Sequence, residues 1–248
     1  MVVPTIVILT LVFTMGFVLL YRKLSTVRES LIYEVSLMLD NNHRQLEALS
    51  ALYIELGLAH ALPETRGFAG SPDFLRNLMT YTLKNHPQTI VECSSGISTL
   101  ILAHCLKRNK TGHIYSLEHD PHYANHTRSI LAEHGVSQYV TVIDAPLTHL
   151  SINAWIGQWY AIDDLKIIES IDLIVIDGPP HFTSENARYP AVPVLYDRLS
   201  IGGAVVLDDS NRPEETWAFG QWLKDFPNSL TKLEMPKCEK GCAALVKQ

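Results

Sequence analysis

The chain has few cysteines and no cluster of basic residues, and each absence excludes a class of protein. Four cysteines among 248 residues are too few and too scattered for a disulfide framework. Cys238 and Cys242 flank a short turn and are predicted to be two free thiols, with a local disulfide as the alternative. The formal net charge is -6, and without a Lys/Arg-rich run this argues against a nucleic-acid partner. The length suits one α/β domain with additional segments.

The first segment lacks charge altogether. Residues Val2–Tyr21 contain no Asp, Glu, Lys or Arg, and a helix of about 1.5 Å per residue would here span roughly 30 Å of bilayer hydrocarbon. Arg22 and Lys23 follow at once, whereas a secretory signal carries its charge first and ends in a small-residue cleavage site. The pattern predicts a single-pass membrane anchor over residues 1–21, with the rest of the chain cytosolic by the positive-inside rule. A buried core helix is the alternative.

Residues 22–61 have a helical pattern with a heptad repeat. From Leu31 to Leu56 the seam positions recur at alternating spacings of four and three residues, with Asn42 and Gln45 in the middle. A single Asn in such a seam can fix a parallel dimer. The spacing therefore predicts either a homodimer through the Leu31–Leu56 helix or a helix that packs on the domain of residues 62–248.

The remainder alternates short strands and helices. Leu62–Phe74 has the Pro and Gly density of a linker or an active-site lid, and a predicted helix follows it to Asn85. Short Val- and Ile-rich runs separated by helical stretches are typical of parallel strands buried on both faces. The predicted strands are Thr89–Glu92, His113–Leu117, Val140–Ile143, Leu173–Ile176 and Ala204–Leu207, with helices over Ser98–Lys107 and Tyr123–His134. Two further arms, LTKLEMP and GCAALVK, predict an antiparallel hairpin that closes an α/β sheet.

Acidic residues stand where these strands end. They are Glu92, Glu118, Asp144, Asp177 and the pair Asp208 and Asp209. The carboxyl ends of parallel strands line one crevice, so we expect these carboxylates to converge there. Buried carboxylates are costly unless they are paired or hydrogen-bonded. The sequence therefore predicts that this edge binds hydroxyls, amines or a metal.

The loop after the first strand, ECSSGIST, carries one glycine, Gly96, before a helix whose N–H groups can receive the polar part of a ligand. No Lys follows this glycine, which argues against triphosphate binding, and the loop lacks the paired glycines of G-x-G-x-x-G. Glu118 ends the next strand 26 residues after Glu92, where an acid can bind ribose hydroxyls. Asp144 ends the third strand, where it can accept a hydrogen bond from the exocyclic amine of adenine.

Four segments, ECSSGIST, SLEHD, DGPP and LDDSNR, together resemble the class I S-adenosylmethionine-dependent methyltransferases, over about Pro63–Val246. The resemblance implies a Rossmann-like sheet of seven strands, mostly parallel, with the last strand antiparallel. The first loop of that family typically reads E/D-x-G-x-G, and here Ser94 replaces the first glycine while Gly96 is kept. The similarity is closest to a bacterial branch often presumed to act on glycans or related metabolites.

The resemblance implies a binding site for S-adenosylmethionine. The residues expected around its amino-acid part are Glu92, Ser94, Ser95, Gly96, Ser98 and Thr99. Glu118 would bind the ribose and His119 would flank the adenine. Asp144 and Ala145 would contact the adenine edge.

The acids after the fourth and fifth strands match a metal site of the catechol-type O-methyltransferases, which hold Mg²⁺ at these strand ends. The resemblance thus implies that Asp177, Asp208 and Asp209 bind Mg²⁺, and all-oxygen ligands suit this hard cation. The alternative is that Asp177 or Asp208 acts as a general base without a metal, or that these acids only order the crevice.

Three polar residues and three aromatic residues are candidates for the acceptor side. His181 lies four residues past Asp177 and is either a general base or a solvent-exposed loop histidine. Arg188 and Arg212 are expected to bind an anionic or hydroxyl-rich acceptor, and Arg188 could equally pair with a carboxylate. Trp155, Trp159 and Tyr160 could stack on a sugar, but core packing explains them equally well.

The sequence therefore predicts a membrane-anchored methyltransferase that acts on a hydroxyl of a glycan or small metabolite at the cytosolic face. A nucleotide-dependent Rossmann oxidoreductase is the first alternative. It is disfavoured because the first loop lacks the paired glycines for a pyrophosphate. A non-catalytic membrane-anchored scaffold is the second, and the intact acidic strand ends argue against it.

Overall fold

Residues 2–67, 69–161, 165 and 168–248 are described in a computed structural model. Met1 and Phe68, which belong to the predicted anchor and linker, lie outside the described residues. The chain divides into two compact units, residues 1–45 and 46–248.

The described residues form six α-helices and nine β-strands. The helices are α1 Val2–Leu56, α2 Pro72–Asn85, α3 Ile97–Asn109, α4 Pro121–Glu133, α5 Ala191–Leu195 and α6 Pro213–Asp225. The strands are β1 Thr89–Cys93, β2 His113–Glu118, β3 Val140–Asp144, β4 Leu147–Ile152, β5 Trp155–Tyr160, β6 Ile171–Ile176, β7 Leu199–Asp208, β8 Leu230–Leu233 and β9 Cys242–Lys247. Single 3-10 turns occur at Ser137–Tyr139, His181–Thr183 and Tyr196–Arg198.

Helix α1 continues without a break from the predicted anchor into the predicted amphipathic helix. The apolar side chains described for its first unit are exposed, among them Phe13 at 74% and Phe17 at 70%. Among the described helices this is the one long and apolar enough to cross a membrane. A signal sequence at an N-terminus has the same two properties.

The last turns of α1 belong to the second unit and pack in its core. Leu52 is fully buried in a cluster with Phe74 and Leu78 of α2, and α1 ends before Gly57, which has a left-handed φ of 60°. For residues 46–56 the alternative of packing on the domain is therefore confirmed. Leu31 is exposed, and the homodimer stays a prediction.

The seven-stranded sheet has the order β3-β2-β1-β6-β7-β9-β8. All pairs from β3 to β7 are parallel, and β9 pairs antiparallel with both β7 and β8. The predicted mostly parallel sheet with a C-terminal antiparallel hairpin is thus confirmed. Strand β7 begins at Leu199 rather than at the predicted Ala204, because Leu199 pairs with Ile171 before a shift in register.

The central parallel strands β1, β6 and β7 are apolar on both sides because each face of the sheet is covered there. Alternate residues of a strand point to opposite faces. Ile90, Leu173 and Ala204 join one cluster with α2 and α3. Val91, Ile174 and Val205 join the other, which contains Trp222 of α6.

The connection from β3 to β6 contains a hairpin that the sequence did not predict. Strands β4 and β5 pair antiparallel as a separate two-stranded sheet. Trp159 and Tyr160 of β5 are buried in the core cluster, and Trp155 Nε1 donates to the Glu185 carbonyl at 2.8 Å. Core packing therefore accounts for the three rings.

The cysteines are free thiols. Cys238 is buried and accepts a hydrogen bond from Asn77 Nδ2 at 3.1 Å. Cys238 and Cys242 are therefore two free thiols, as predicted, and do not form a disulfide.

The strand order fixes where a ligand can bind. From β1 the chain runs outward to β2 and β3 on one side, while β6 and β7 lie on the other. Ligands in open α/β sheets bind outside the carboxyl ends of the strands where the order reverses. Here that point is the crevice between the ends of β1 and β6.

Candidate active site

Glu92 lies fully buried at the end of β1. Its Oε2 accepts a hydrogen bond from Thr99 Oγ1 at 2.6 Å and lies 3.0 Å from Ser116 Oγ. Its Oε1 has no partner. Burial raises the pKa of this carboxyl to about 7, although hydrogen bonds from Ser98, Thr99 and Ser116 lower it. Glu92 Oε1 is therefore a buried carboxyl oxygen that is free to bind a polar group of a ligand, and the carboxyl group exchanges its proton near neutral pH.

The backbone of the first loop turns sharply at Ser94 and Gly96. Ser94 has a φ of 112° and Gly96 a φ of 147°, both in the region that favours glycine. A Cβ placed on Gly96 would meet nothing within 4 Å, so the backbone here faces open space. The Gly96 N–H donates to Thr99 Oγ1 at 2.9 Å, which ties the start of α3 to Glu92. The loop thus leaves room for a ligand against its backbone.

Glu118 lies at the end of β2 and is held by the first loop. Both the N–H and the Oγ of Ser95 donate to Glu118 Oε2, at 3.1 and 3.0 Å. The Asp120 N–H donates to Oε1 at 3.1 Å. The predicted ribose-binding acid is therefore within hydrogen-bonding distance of the predicted amino-acid-binding loop, as a single site requires.

The residues predicted to contact the adenine already have neighbours within the protein. Asp144 pairs in register with Glu118 but is exposed, and its Oδ1 accepts from Arg128 Nη2 at 2.9 Å. The Ala145 N–H donates to the Glu118 carbonyl at 2.7 Å, so only the side chain and the carbonyl of Ala145 remain for a ligand. His119 is half-buried with Nδ1 3.1 Å from Glu118 Oε1.

The acids after β6 and β7 converge as the sequence predicted. Carboxylate oxygens of Asp177, Asp208 and Asp209 lie within 4.8 Å of one another. The Asp177 N–H donates to the Cys93 carbonyl at 3.1 Å, so this cluster adjoins the end of β1. Burial raises the pKa of Asp208 to about 9 and that of Asp177 to about 6, and the neighbouring carboxylates add to both increases.

The guanidinium of Arg188 lies among these carboxylates. Arg188 Nη2 donates to Asp177 Oδ1 at 3.1 Å and to Asp209 Oδ2 at 3.0 Å, and Nη1 donates to the Asp208 carbonyl at 3.0 Å. Arg212 Nη1 lies 2.9 Å from Asp209 Oδ2. Arg188 thus pairs with carboxylates, which is the alternative that the sequence left open. Contact of Arg188 or Arg212 with an anionic or hydroxyl-rich acceptor stays a prediction.

Glu215 was not predicted as a site residue. It is buried at the start of α6, and its Oε1 lies 3.5 Å from Arg188 Nε and 3.9 Å from Arg212 Nη1. Its spacing of three residues from Arg212, across the start of a helix, was the available signal. Glu215 adds a fourth carboxyl group to the cluster.

The carboxylates of Asp177, Asp208 and Asp209 form a candidate site for a divalent cation. Its oxygens suit Mg²⁺ in kind, and Asp208 Oδ2 and Asp209 Oδ1 have no hydrogen-bond partner. However, Asp177 and Asp209 already share one guanidinium. A doubly charged ion about 4 Å from that guanidinium would meet a repulsion of about 8 kcal/mol at an effective dielectric constant of about 20, which offsets part of its attraction to the carboxylates. The cluster has the composition of a buried ion-pair network, and a second cation does not fit it well.

A shallow, open cleft borders the ion-pair network. Its lining residues are His181, Asn186, Ala187, Arg188, Glu214 and Glu215. His181 is exposed at the start of its 3-10 turn. The predicted general base is thus near the network but in solvent.

Tyr160, which the sequence suggested only as a ring that could stack on a sugar, brings its hydroxyl to the site. A Cβ on Gly178 would meet Tyr160 Oη at 2.5 Å, Ser94 Cβ at 3.0 Å and the Cys93 carbonyl at 3.3 Å. The hydroxyl therefore lies at the crevice between β1 and β6. Burial raises the pKa of this phenol well above its usual range, which keeps it protonated as a hydrogen-bond donor.

Comparison with known proteins agrees with this geometry. Residues 91–210 match the family model described as "Methyltransferase domain", a range that includes the predicted site residues apart from Arg212. No curated protein sequence matches this chain.

Solved structures share the fold at low sequence identity. The S-adenosylhomocysteine-bound methyltransferase PaMTH1 of Podospora anserina is 19% identical over 81% of this chain and 88% of its own, with a TM-score of 0.56. The O-methyltransferase TomG of Streptomyces achromogenes, in complex with S-adenosylmethionine, is 18% identical over 82% and 89%, with a TM-score of 0.53. An O-methyltransferase of Bacillus cereus is 18% identical over 81% and 91%, with a TM-score of 0.52.

The sheet order, the acid-terminated strands at its switch point and the matched domain model lead to one family. The glycine of the first loop and the antiparallel last strand are also those that the sequence resemblance implied. For the methyltransferase domain matched over residues 91–210, the resemblance to the class I S-adenosylmethionine-dependent methyltransferases is therefore confirmed.

Proposed function

We propose that this protein transfers the methyl group of S-adenosylmethionine to a hydroxyl oxygen of a glycan or small metabolite at the cytosolic face of a membrane. One observation carries the proposal. The hydrogen bond from Asp177 N–H to the Cys93 carbonyl joins the loop expected to bind the donor to a cluster of carboxyl groups. Donor and acceptor sites thereby meet at one crevice.

The donor side of the crevice suits the polar ends of S-adenosylmethionine. Glu92 Oε1, which has no partner, can accept a hydrogen bond from the ammonium group of the cofactor. The open space at Gly96 has room for the amino-acid part of the cofactor. Glu118 can accept from ribose hydroxyls when the Ser95 hydroxyl turns to its other neighbour, Thr127 Oγ1, at 3.0 Å. When bound, the cofactor supplies a methyl group activated by its sulfonium. The chain's own task is to align the acceptor with that methyl group.

The acceptor side supplies a proton acceptor. Asp177 has the most exposed side chain of the three clustered aspartates, at 10% against 4% for Asp209, and Arg188 fixes its orientation. A carboxylate held in this way can accept the proton of a hydroxyl as its oxygen attacks the methyl group. His181 at the cleft is the alternative base. Oxygen is favoured over carbon as the acceptor atom because the crevice presents hydrogen-bond acceptors for a hydroxyl.

The membrane location is supported by the charge-free start of α1 and the basic residues after it. If α1 anchors the protein, full-length chain should resist extraction by high salt and by carbonate and should dissolve in detergent. Extraction without detergent would contradict the anchor. Protease added outside intact cells should spare the catalytic domain, and cleavage of that domain would contradict the cytosolic orientation.

The activity is tested in two steps with the purified full-length protein in detergent. Calorimetry with S-adenosylmethionine measures donor binding, and transfer of a labelled methyl group is then screened over glycans, lipid-linked sugars and catechol-like compounds. Label on a hydroxyl oxygen supports the proposal. Absence of donor binding, or transfer only to nitrogen acceptors, would contradict it.

To separate the two candidate bases, Asp177→Asn and His181→Ala are compared across pH. We expect Asp177→Asn to lose most of the rate and His181→Ala to keep the wild-type pH profile. Loss of one limb of the profile in His181→Ala would instead assign proton abstraction to His181.

A further inference from the structure

The environment of Arg188 resembles that of a bound cation. Its side chain is 5% exposed. Its guanidinium donates hydrogen bonds through Nη1 and Nη2, whereas Nε has no hydrogen-bond partner and lies only within ion-pair distance of Glu215. Nη2 bonds to Asp177 and Asp209, Nη1 bonds to the Asp208 carbonyl, and Nε lies 3.5 Å from Glu215. A planar guanidinium with its donors in a fixed fork is suited to bridging carboxylates in this way.

The residues that Arg188 bridges come from separate elements. Asp177 follows β6, Asp208 ends β7 with Asp209 directly after it, and Glu215 lies in α6. Asp209 has a φ of 57°, so the backbone at the end of β7 is held in a left-handed conformation that a non-glycine residue seldom adopts. A single side chain thus fixes the acids that a divalent ion would otherwise have to hold together.

The competing interpretation is that these acids bind a metal ion, and it depends on two oxygen atoms. Asp208 Oδ2 and Asp209 Oδ1 are buried and have no hydrogen-bond partner, and a small cation would have to bind through them. Each belongs to a carboxyl group whose other oxygen is already bonded, Asp208 Oδ1 by the Asp209 N–H at 2.8 Å and Asp209 Oδ2 by Arg188. Arg212 also contacts Asp209 Oδ2. Two guanidiniums therefore already supply positive charge to this group of acids.

We propose that Arg188 takes the place of the divalent metal in this site, as a built-in cation that positions Asp177 toward the acceptor, so that methyl transfer needs no metal ion. That methyl transfer needs no metal ion rests on the proposed function. That Arg188 replaces the metal does not, since metal binding can be measured without an acceptor.

The first test measures metal binding directly. Mn²⁺ is titrated into the full-length protein in detergent and followed by electron paramagnetic resonance, and Mg²⁺ is titrated by calorimetry. Wild-type protein should bind neither ion with a dissociation constant below about 1 mM, the weak end of protein cation sites. Tighter binding that is lost in Asp209→Asn would overturn the proposal.

The second test removes the guanidinium. Arg188→Gln should gain Mn²⁺ binding by about tenfold or more, because the carboxylates lose their internal counter-ion, and its thermal unfolding should become sensitive to Mg²⁺. Arg212→Gln is the matched control, since it removes the exposed guanidinium from the same carboxylate and should gain much less. Equal metal binding by Arg188→Gln and wild-type protein, with both folded, would contradict the proposal. If Arg188→Gln does not fold, the wild-type titration still decides.

Once an acceptor is known, activity gives an independent readout. Transfer should be unchanged by a chelator, and Arg188→Lys, which keeps the charge but loses the fork, should lower kcat more than it raises KM. Loss of transfer on chelation with recovery on adding Mg²⁺ would overturn the proposal. Failure to find any acceptor would count against the proposed function and would leave the metal titrations as the test of Arg188.

Discussion

Ser95 donates to Glu118 through both its backbone N–H and its hydroxyl, at 3.1 and 3.0 Å from the same carboxylate oxygen. One residue of the first loop therefore satisfies the acid at the end of the second strand. This couples the two halves of the donor site before any ligand is present. Ribose hydroxyls that bind Glu118 must compete with the Ser95 hydroxyl, which has Thr127 Oγ1 as a second partner at 3.0 Å.

Glu118→Ala should weaken S-adenosylmethionine binding by about tenfold to a hundredfold, because each hydrogen bond to a charged acceptor is worth about 1.5–3 kcal/mol. Calorimetry measures the affinity, and circular dichroism checks the fold. Unchanged affinity in a folded variant would remove Glu118 from the donor site.

Ser95→Ala is the control for this prediction. The backbone N–H of residue 95 still donates to Glu118, while the competing hydroxyl is lost, so the affinity should stay within about threefold of wild type. A loss as large as that of Glu118→Ala would mean that the Ser95 hydroxyl itself binds the cofactor.

Tyr160→Phe should lower kcat by about tenfold without changing donor affinity, because a hydroxyl at the β1/β6 crevice can donate one hydrogen bond during transfer. The ring stays buried in the core, so thermal stability should be nearly unchanged. Tyr115→Phe, on β2, is the matched control and should behave like wild type. A Tyr160→Phe enzyme with full kcat would leave the phenol with a packing role only.

Glu92 should make stability depend on pH. Its pKa is raised from 4.5 to about 7 by burial, so the folded state binds a proton that the unfolded state releases. Stability is therefore fully present below about pH 4.5 and decreases as the pH rises through about 7, by up to about 3 kcal/mol. Glu92→Gln keeps an acceptor oxygen but cannot ionise, and its stability relative to wild type should increase between about pH 5 and pH 8.

Chemical denaturation of wild type and Glu92→Gln without cofactor measures this difference at each pH. Parallel stability curves would show that Glu92 is ionised in the folded protein across this range. The variant is also expected to bind S-adenosylmethionine more weakly, because a neutral amide is a poorer acceptor for an ammonium group.

Leu52→Ala should destabilise the α/β domain by about 2–5 kcal/mol, because it removes a fully buried side chain from the cluster with α2. Leu31→Ala removes an exposed side chain of the same helix and should leave the unfolding temperature of the domain nearly unchanged. Thermal unfolding of both variants in detergent checks this. Equal effects would contradict the separate roles of the two ends of α1.

The acidic strand ends were predictable because strand and acid are adjacent in the sequence. A short apolar run predicts a buried strand, and the carboxyl ends of parallel strands meet at one edge. Glu92, Glu118 and Asp177 could thus be placed before the structure. The hairpin β4–β5 was missed because its mixed apolar and polar residues resemble neither a buried strand nor an amphipathic helix.

By itself, the sequence determined the parallel α/β sheet, its antiparallel closing hairpin, the charge-free first segment and the acids at the crevice, since each depends on residues close together along the chain. Only the tertiary structure decided what those acids contact. Arg188, Asp209 and Glu215 lie on three different segments, and Tyr160 reaches the crevice from the β4–β5 hairpin, which precedes all three in the chain. No local pattern encodes such contacts, because the packing of distant elements brings the charges together, and burial then sets which of them pair.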